Sequence, residues 1–363
     1  MKDRVKWIFS NCQDDLDAIV IVNGEEPLLD VAFPYVTGTK AGLFEGCLGV
    51  ITPDGRSTLI SSALEETSAR GGTAEVVTYR NSKEREDVTS DLMKGFRKIG
   101  INGQGITYAN YLNVRKLAPN AETVDVSVGL ESSRYIKDSE EVDRIRRSCR
   151  IASRVADEIS GMLKEGMTEY QMAAEIDYRM MRTGASGSAF ATNASFGPSS
   201  AEPHHEAENI VLKRGDTALF DFGCKVDGYC SDITRTFFYG ELKDWQKRMY
   251  EVVEQAQLAA LAVIGPGMNG KNVDAAARLV IDASEFKGLL IHSTGHGLGL
   301  SVHDGGRMAP SVDLVLKEGM VMTVEPGVYI PGKGGVRIED DVLITKDGYE
   351  MLTDASKEMK VVQ

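Results

Sequence analysis

The stretch "VLKRGDTALFDFG", residues 211–223, recurs in modified form as "VLKEGMVMTVEPG", residues 315–327. Aligned without gaps, the two copies share Val, Leu, Lys and two Gly, and Asp221 of the first falls where Glu325 stands in the second. Each copy is typical of a turn followed by a short apolar strand that ends in an acid. The repetition predicts two similar structural units that place carboxylates at equivalent points.

A helical pattern precedes each of these strands at nearly the same offset. "MTEYQMAAEIDYRMM" follows Gly166, with Thr168 and Gln171 in capping-box positions, and "MNGKNVDAAARLVIDAS" follows Gly267. One match of the form LKxG arises easily by chance, whereas two matched pairs in the same order favour a duplication. We therefore expect two halves related by a pseudo-twofold axis.

The length of 363 residues is too great for one ordinary domain and suits two. Residues 1–130 alternate strand and helix patterns, which predicts an α/β domain without a visible catalytic cluster. Residues 131–363 open with a long amphipathic helical pattern and then alternate helices with glycine-rich strands, which predicts an α+β domain containing the repeat.

Composition excludes several classes of protein. The formal net charge of −13 argues against a nucleic-acid partner. No apolar run near the N-terminus exceeds Ala18–Val22, so we predict no membrane span. Five cysteines without a CxxC pair indicate reduced thiols in a cytoplasmic protein, with Cys224 and Cys230 in the core.

The first repeat continues into a hairpin that brings acids together. Asp227-Gly228 is a strong two-residue turn signal, and its register pairs Asp221 with Thr234. Asp232 then lies on the same sheet face as Asp221, at a diagonal spacing of about 7–8 Å.

In the second repeat, a hairpin turning through 332–335 brings Glu339 opposite or near Glu325. Acids of this kind are individually more often solvated or paired with Lys and Arg. Four carboxylates at matched places would instead repel one another, and a cation would relieve the repulsion.

All five histidines lie in the second domain, and Gly-His-Gly exposes His296 on a backbone with little side-chain cover. The surrounding "GHGLG" also suggests a phosphate-binding loop, but it is not the GxGxxG pattern and no helix start follows it. One imidazole and four carboxylates form a plausible ligand set for two metal ions.

The motifs "DFG…SDITRTF", "HSTGHGLGLSVHD", "EPGVYIPG" and "GGVRIEDDVLIT" resemble the metal-dependent creatinase and aminopeptidase P superfamily, in particular its prolidase branch. The resemblance covers essentially the whole chain. It implies a creatinase-like α/β N-terminal domain and an α+β catalytic domain with the pita-bread fold and its internal pseudo-twofold repeat.

The resemblance also implies a cofactor of two divalent metal ions per chain, Mn, Co or Zn. By motif, Asp221 binds one ion, His296 binds the other, and Asp232 and Glu339 bridge them. Glu325 corresponds to the ligand that also moves protons. Attack on the substrate would come from a hydroxide held between the ions.

Three further histidines resemble substrate residues of the family: His204, His292 and His303. His292 and His303 correspond to residues that orient the substrate and stabilise the tetrahedral intermediate. His204 follows a proline as in the family, and His205 beside it is interpreted as incidental.

The resemblance favours a prolidase, which hydrolyses Xaa-Pro dipeptides. Arg307 corresponds to an arginine that binds the dipeptide's carboxylate, and Phe190 to an aromatic residue of the proline pocket; a surface loop and core packing are their respective alternatives. The other functions considered are aminopeptidase P, then methionine aminopeptidase, and a non-catalytic binding relative. The resemblance further implies a homodimer that acts on small peptides.

Overall fold

The computed structural model describes residues 2–363 and divides into two compact units, Met1–Arg134 and Tyr135–Gln363. Sequence reasoning places the boundary after residue 130, whereas the structural boundary follows the last helix of the first unit. Among the described residues, no helix combines the length and apolar composition needed to cross a bilayer.

The first unit is an α/β domain built on a mixed sheet with the strand order β4 (Glu75–Tyr79), β3 (Ser57–Ser62), β2 (Leu48–Ile51), β1 (Ala18–Val22), β5 (Lys98–Ile101) and β6 (Glu122–Asp125). The central strand β1, "AIVIV", is buried along its whole length, as its β-branched composition predicts. The elements are α1 (Lys2–Ser10), β1 (Ala18–Val22), α2 (Ala32–Thr37), β2 (Leu48–Ile51), β3 (Ser57–Ser62), a 3₁₀ turn (Ala63–Glu65), α3 (Glu66–Arg70), β4 (Glu75–Tyr79), α4 (Ser82–Leu92), β5 (Lys98–Ile101), α5 (Tyr108–Leu117), β6 (Glu122–Asp125) and α6 (Ser127–Ser133).

The second unit contains helices around several short antiparallel sheets. Its elements are α7 (Ser139–Met162), α8 (Glu169–Arg182), β7 (Gly187–Ser188), β8 (Asn193–Phe196), a 3₁₀ turn (Gly197–Ala201), β9 (Thr217–Phe222), β10 (Cys224–Val226), β11 (Tyr229–Cys230), β12 (Ile233–Tyr239), α9 (Asp244–Val263), α10 (Gly270–Asp282), β13 (Gly295–His296), β14 (Arg307–Met308), β15 (Val321–Val324), β16 (Gly327–Ile330), β17 (Gly334–Arg337), β18 (Asp340–Thr345), β19 (Gly348–Met351) and β20 (Val361–Val362).

The long helical pattern at the start of this unit corresponds to α7, which begins later than the pattern. Asp138 and Glu141 form a reciprocal capping box there, so α7 starts at Ser139. The residues just before belong to α6 and a connecting turn. The capping box predicted from Thr168 and Gln171 is confirmed at the start of α8.

The internal repeat is confirmed. Each half has a long helix, a shorter helix and then the repeated strand, β9 in the first half and β15 in the second. Isolated bridges join Thr168 to Val211 and Asn269 to Val315, at matching places in the two copies. Separate apolar clusters support the halves, one including Ile159 of α7 and the other Val253 of α9.

The predicted register of the first hairpin is confirmed. Asp227 and Gly228 have φ angles of 49° and 85°, as a tight turn between antiparallel strands requires, and Asp221 pairs with Thr234. The same register places Asp232 opposite Gly223. A Cβ at Gly223 would lie 1.8 Å from the carbonyl oxygen of Ser231, so the close approach of these strands requires glycine.

The second hairpin turns earlier than predicted. Ile330 pairs with Gly334, so the turn consists of residues 331–333, and Gly334 and Gly335 lie in β17. Continuing this register beyond the strands places Glu339 opposite Glu325. The predicted juxtaposition of these two acids is therefore present despite the shifted turn.

Candidate metal centre and active site

The ends of the repeated strands bring acidic side chains to one place in the second unit. Asp221 lies on β9, Asp232 just before β12, Glu325 just after β15, and Glu339 between β17 and β18. His296 reaches the same place from β13. Possible ligand atoms of Asp232, His296 and Glu339, all buried, lie within 4.8 Å of one another.

Glu325 and Asp221 border this group in different ways. The His296 Nε2 atom lies 3.4 Å from Glu325 Oε1 and 3.7 Å from Asp232 Oδ2. Asp221 Oδ2 accepts a hydrogen bond from Arg337 Nη2. The other Asp221 oxygen, Oδ1, and the Oδ1 of Asp232 are buried and have no hydrogen-bond partner.

Burial and mutual repulsion favour the protonated forms of Asp232, Glu325 and Glu339 when no cation is present. Desolvation, followed by the neighbouring charges of Glu339 and Asp221, raises the pKa of Asp232 well above its ordinary value. Desolvation and Glu325 do the same to the pKa of Glu339. Desolvation raises the pKa of Glu325 to about 7, against the opposing charge of Arg337.

His296 has the protonation state that metal binding requires. Desolvation, with the nearby His303, lowers its pKa to about 3, so the ring is neutral at physiological pH. Its Nδ1 faces the carbonyl oxygen of Gly297 at 3.2 Å and therefore carries the hydrogen, which leaves the Nε2 lone pair directed at the acids. The two orphaned buried oxygens, the repelling carboxylates and this imidazole fit a divalent cation site.

Hydrogen bonds orient the acids. Thr234 Oγ1 donates to Glu339 Oε2 at 2.6 Å, and the Asp232 backbone N–H donates to Asp341 Oδ2 at 2.9 Å. Thr323 accepts from the His296 backbone N–H and donates from Oγ1 to Glu325 Oε1 at 3.3 Å. Such outer contacts fix the direction in which a ligand presents its oxygen or nitrogen.

A cavity of about 580 Å³ opens onto this group. All of the site residues predicted from sequence line it: Phe190, His204, Asp221, Asp232, His292, His296, His303, Arg307, Glu325 and Glu339. Apolar residues, including Ile291, Val302 and Val312, line it as well. The cavity therefore combines a polar centre with apolar walls, as is typical of sites for small organic ligands.

The remaining histidines around the cavity differ in how they are held. The His303 ring meets the His296 ring edge to face, with centroids 4.3 Å apart, and His204 is exposed at the rim. Both nitrogens of His292 are engaged, with the Ser293 carbonyl at 2.7 Å and the Tyr329 hydroxyl at 2.8 Å. Desolvation and Arg337 lower the pKa of His292 to about 4.

Arg307 and Phe190 flank the centre. Arg307 is exposed on β14 and pairs directly with His296 of β13. Phe190 is half-buried, and its ring lies 3.2 Å from the position that a Cβ on Gly223 would occupy. Cys224 and Cys230 are buried free thiols that do not line the cavity, as predicted.

Sequence reasoning missed Arg337, which is 3% exposed and connects several parts of the site. Its Nε donates to Thr234 Oγ1 at 2.9 Å, its Nη1 to the Tyr329 hydroxyl at 2.8 Å, and its Nη2 to Asp221. The sequence does contain a pattern that places Arg337 near the acids. In an extended strand Arg337 shares a face with Glu339, two residues later.

A second missed network lies on α10. Asp274 is buried and accepts hydrogen bonds from the backbone and hydroxyl of Thr294 at 3.1 and 2.9 Å. It also pairs with Arg278, one turn later on the helix, which donates to the carbonyl oxygens of Leu290 and His292. Helix α10 thereby holds the segment that carries His292.

Comparison with known proteins agrees with these observations. Residues 143–346 match the model of metallopeptidase family M24, and residues 12–136 match the creatinase/prolidase N-terminal domain. An Xaa-Pro dipeptidase of Pyrococcus furiosus is 37% identical over 273 residues, which are 75% of this chain and 78% of the relative.

Solved structures show the same architecture along the whole chain. An Xaa-Pro dipeptidase from Bacillus anthracis has a TM-score of 0.91 at 31% identity, covering 99% of both chains. An X-Pro aminopeptidase from Thermotoga maritima has a TM-score of 0.89 at 31% identity, covering 96% of this chain and 98% of the other. The pita-bread fold and the family resemblance predicted from sequence are confirmed, and the chain belongs to metallopeptidase family M24, as an enzyme with a creatinase/prolidase N-terminal domain.

Proposed function

We propose that this enzyme is a dinuclear metal-dependent Xaa-Pro dipeptidase. The observation that carries the proposal is that one cavity is lined both by the acid group around His296 and by Arg307, the strand partner of His296. The acid group consists of Asp221, Asp232, Glu325 and Glu339. A ligand that fits this cavity would place an amide bond near the acids and a free carboxylate near the guanidinium. A short peptide has both groups. The similarity to the Pyrococcus and Bacillus dipeptidases supports this assignment.

Membership of a metallopeptidase family implies a divalent metal cofactor. We assign two ions per chain, held by Asp221, Asp232, His296, Glu325 and Glu339. In this assignment Asp232 and Glu339 would serve both ions, Asp221 would serve one and His296 the other. Oxygen-rich ligands favour Mn, Co or Zn over copper. When bound, such ions polarise a carbonyl oxygen and lower the pKa of a coordinated water.

Glu325 is assigned as the residue that moves a proton to the departing nitrogen. Its Oε1 borders His296, and its Oε2 lies 3.9 Å from His292 Nδ1, so the carboxyl stands between the acid group and the cavity wall. A general acid must lie within hydrogen-bond reach of the atom that it protonates. A leaving proline nitrogen has no hydrogen of its own and needs one delivered.

His303 and His204 are assigned to the substrate carbonyl and the peptide backbone. Neither ring has a hydrogen bond to another described residue, so both retain donors that can face a ligand. His292 has both ring nitrogens engaged, and we therefore assign it to the orientation of neighbouring groups rather than to direct donation. This narrows the role that the family resemblance implied for it.

Arg307 and Phe190 are assigned to recognition of the C-terminal proline. A guanidinium forms two parallel hydrogen bonds with a carboxylate, which a longer peptide does not offer at that position. Phe190 offers an apolar face to the pyrrolidine ring. The runner-up function is aminopeptidase P, which the similarity to the Thermotoga X-Pro aminopeptidase supports.

The test is hydrolysis by metal-free protein and by protein reconstituted with Mn²⁺, Co²⁺ or Zn²⁺. The substrates are Ala-Pro, Met-Pro and the tripeptide Ala-Pro-Ala. The proposal expects metal-dependent cleavage of both dipeptides and poor cleavage of the tripeptide. A preference for the tripeptide would move the assignment to aminopeptidase P, and activity that survives chelation would refute the metal dependence.

The homodimer stays a prediction of the family resemblance, and the cytoplasmic location stays a prediction from the cysteine pattern. Size-exclusion chromatography with light scattering tests the homodimer, and fractionation of cells tests the cytoplasmic location.

A further inference from the structure

Glu169, the first residue of α8, has a fully buried carboxylate that accepts hydrogen bonds from separate parts of the chain. The donors are the backbone N–H of Phe196 at 2.8 Å, the hydroxyl of Ser199, the Nε2 of His205 at 2.7 Å and the backbone N–H of Glu208 at 3.0 Å. An ionised carboxylate offers about four acceptor positions, so these donors fill its capacity.

The segment that Glu169 holds carries part of the cavity wall. Between Phe196 and Glu208 the chain forms a 3₁₀ turn and then runs without helix or strand. Pro203 and His204, in the middle of this irregular stretch, line the cavity. Because donors near both ends of the segment converge on one carboxylate, Glu169 closes the loop that presents His204.

Contacts in the opposite direction strengthen the attachment. The backbone N–H of Glu169 donates to the Ile210 carbonyl at 3.0 Å, and that of Tyr170 donates to the Glu208 carbonyl at 3.2 Å. The first N–H groups of a helix have no partner within the helix, so this segment supplies acceptors that α8 needs.

The two adjacent histidines in this segment have different surroundings. The His205 side chain is 7% exposed and contacts Glu169, whereas His204 is exposed at the cavity rim. The interpretation of His205 as incidental, made from the sequence, is therefore wrong. The buried His205 ring anchors the chain next to His204, which faces the cavity.

The second half of the domain has a comparable arrangement. Asp274 of α10 holds the segment carrying His292 through Thr294 and Arg278. In each half, a buried acid on the second helix thus secures a segment that brings a histidine to the cavity.

We propose that Glu169 and His205 are positioning residues that hold His204 in place for the substrate. The inference rests on the proposed function to the extent that His204 contacts the peptide. It extends that function by adding two residues that do not line the cavity.

The test compares His205→Ala, His205→Gln and Ser199→Ala, each made alone and combined with His204→Ala. Glu202→Gln is the matched control, because Glu202 lies 3.9 Å from the other ring nitrogen of His205 but its side chain is 77% exposed. A long contact to an exposed carboxylate contributes little. Unfolding temperatures identify variants that fail to fold.

Misplacement of a substrate-positioning group typically reduces the rate by up to about 100-fold, and we expect His205→Ala to lower kcat/KM by about 10- to 100-fold. His205→Gln, whose amide N–H can replace the Nε2–H, should recover part of the loss, and Ser199→Ala should lose less. Residues that act through a common partner are not additive, so in the His204→Ala background each change should cost no more than about twofold. Equal losses in both backgrounds would overturn the inference.

Hydrogen exchange provides a readout that needs no substrate. In His205→Ala the amides of Phe196 and Glu208 should exchange faster, while the segment held by Asp274 keeps its wild-type rate. Unchanged exchange at those amides would overturn the inference. If Xaa-Pro peptides are not substrates, the proposed function fails separately, and the comparison in the two backgrounds is made on whichever peptide the enzyme cleaves.

Discussion

Arg307 lies directly across from His296 in the pairing of β13 with β14. Directly opposed residues of antiparallel strands have Cα atoms about 4.5–5.5 Å apart, and one residue of extended peptide spans about 3.3–3.6 Å. The Arg307 guanidinium, on the neighbouring strand, is therefore suited to bind the C-terminal carboxylate of a dipeptide whose peptide bond is held near His296. This spacing supports the proposed preference for dipeptides.

The assignment of Asp232 to both ions predicts an asymmetry between ligand substitutions. Loss of an outer contact typically lowers metal affinity by 10- to 100-fold, so loss of a ligand itself should exceed about 100-fold. Asp232→Asn should weaken both metal sites, whereas His296→Ala should weaken chiefly one. Calorimetric titration of the metal-free protein with Mn²⁺ measures both sites.

Asp227→Asn is the control for this titration. Asp227 lies in the turn of the same hairpin, and its side chain is 42% exposed. It should leave two tight sites. Two tight sites in Asp232→Asn would show that Asp232 does not bridge.

The metal-free protein should become less stable as the pH rises from about 6.5 to about 8.5. The pKa values of Asp232 and Glu339 are raised well above their ordinary values, and that of Asp341 to about 8, in each case chiefly by desolvation. The native state therefore keeps protons that the unfolded state has already released near pH 4. When the native state binds more protons than the unfolded state, the free energy of unfolding falls as the pH rises.

The lowered pKa values of His292 and His296 change the stability in the opposite direction. As the pH falls, these two residues bind protons in the unfolded state before they do so in the native state. They do so only below about pH 6.5, where an unfolded histidine becomes charged. Urea unfolding of the second unit at several pH values measures the trend, and bound metal should remove most of it. Constant or rising stability of the metal-free protein across this range would contradict the account of the buried acids.

Arg337 should be essential to the integrity of the site. Replacing it with Met leaves Asp221 Oδ2 without its donor and removes hydrogen bonds to Thr234 and Tyr329. Breaking a buried ion pair from one side typically costs about 3–5 kcal/mol, and we expect a loss of that size in the metal-free protein. Arg337→Lys should recover part of it, since an ammonium cannot reach all three acceptors.

Arg154→Met is the matched control, because Arg154 is 69% exposed in its ion pair with Glu158. Calorimetric unfolding should show little change in this variant. A similarly small effect of Arg337→Met would mean that the guanidinium does not stabilise the acid group.

Sequence reasoning succeeded where local rules determine position. The Asp227-Gly228 turn fixes one register, and the alternation of strands then brings Asp221 and Asp232 to one face. The second turn was displaced because three glycines among residues 332–335 permit several tight turns, and only the pairing of Ile330 with Gly334 selects one.

The supporting residues were missed for a different physical reason. Arg337 and Asp221 are 116 residues apart, and Glu169 and His205 are 36 apart. No periodicity links such pairs, because their contacts depend on how the elements pack together. Likewise, nothing local distinguishes His204 from His205, and only the buried Glu169 makes one an anchor and leaves the other at the rim.

The most direct test of the central claim is the ratio of kcat/KM for Ala-Pro to that for Ala-Pro-Ala, measured in the metal-reconstituted enzyme and in Arg307→Ala. A charge-assisted hydrogen bond contributes about 1.5–3 kcal/mol, and each 1.36 kcal/mol is tenfold in rate. The variant should therefore lose about 10- to 160-fold on the dipeptide and little on the tripeptide, so that the ratio collapses. Arg307→Lys should lie between. Equal losses on both peptides, with the ratio unchanged, would contradict recognition of the dipeptide carboxylate by Arg307.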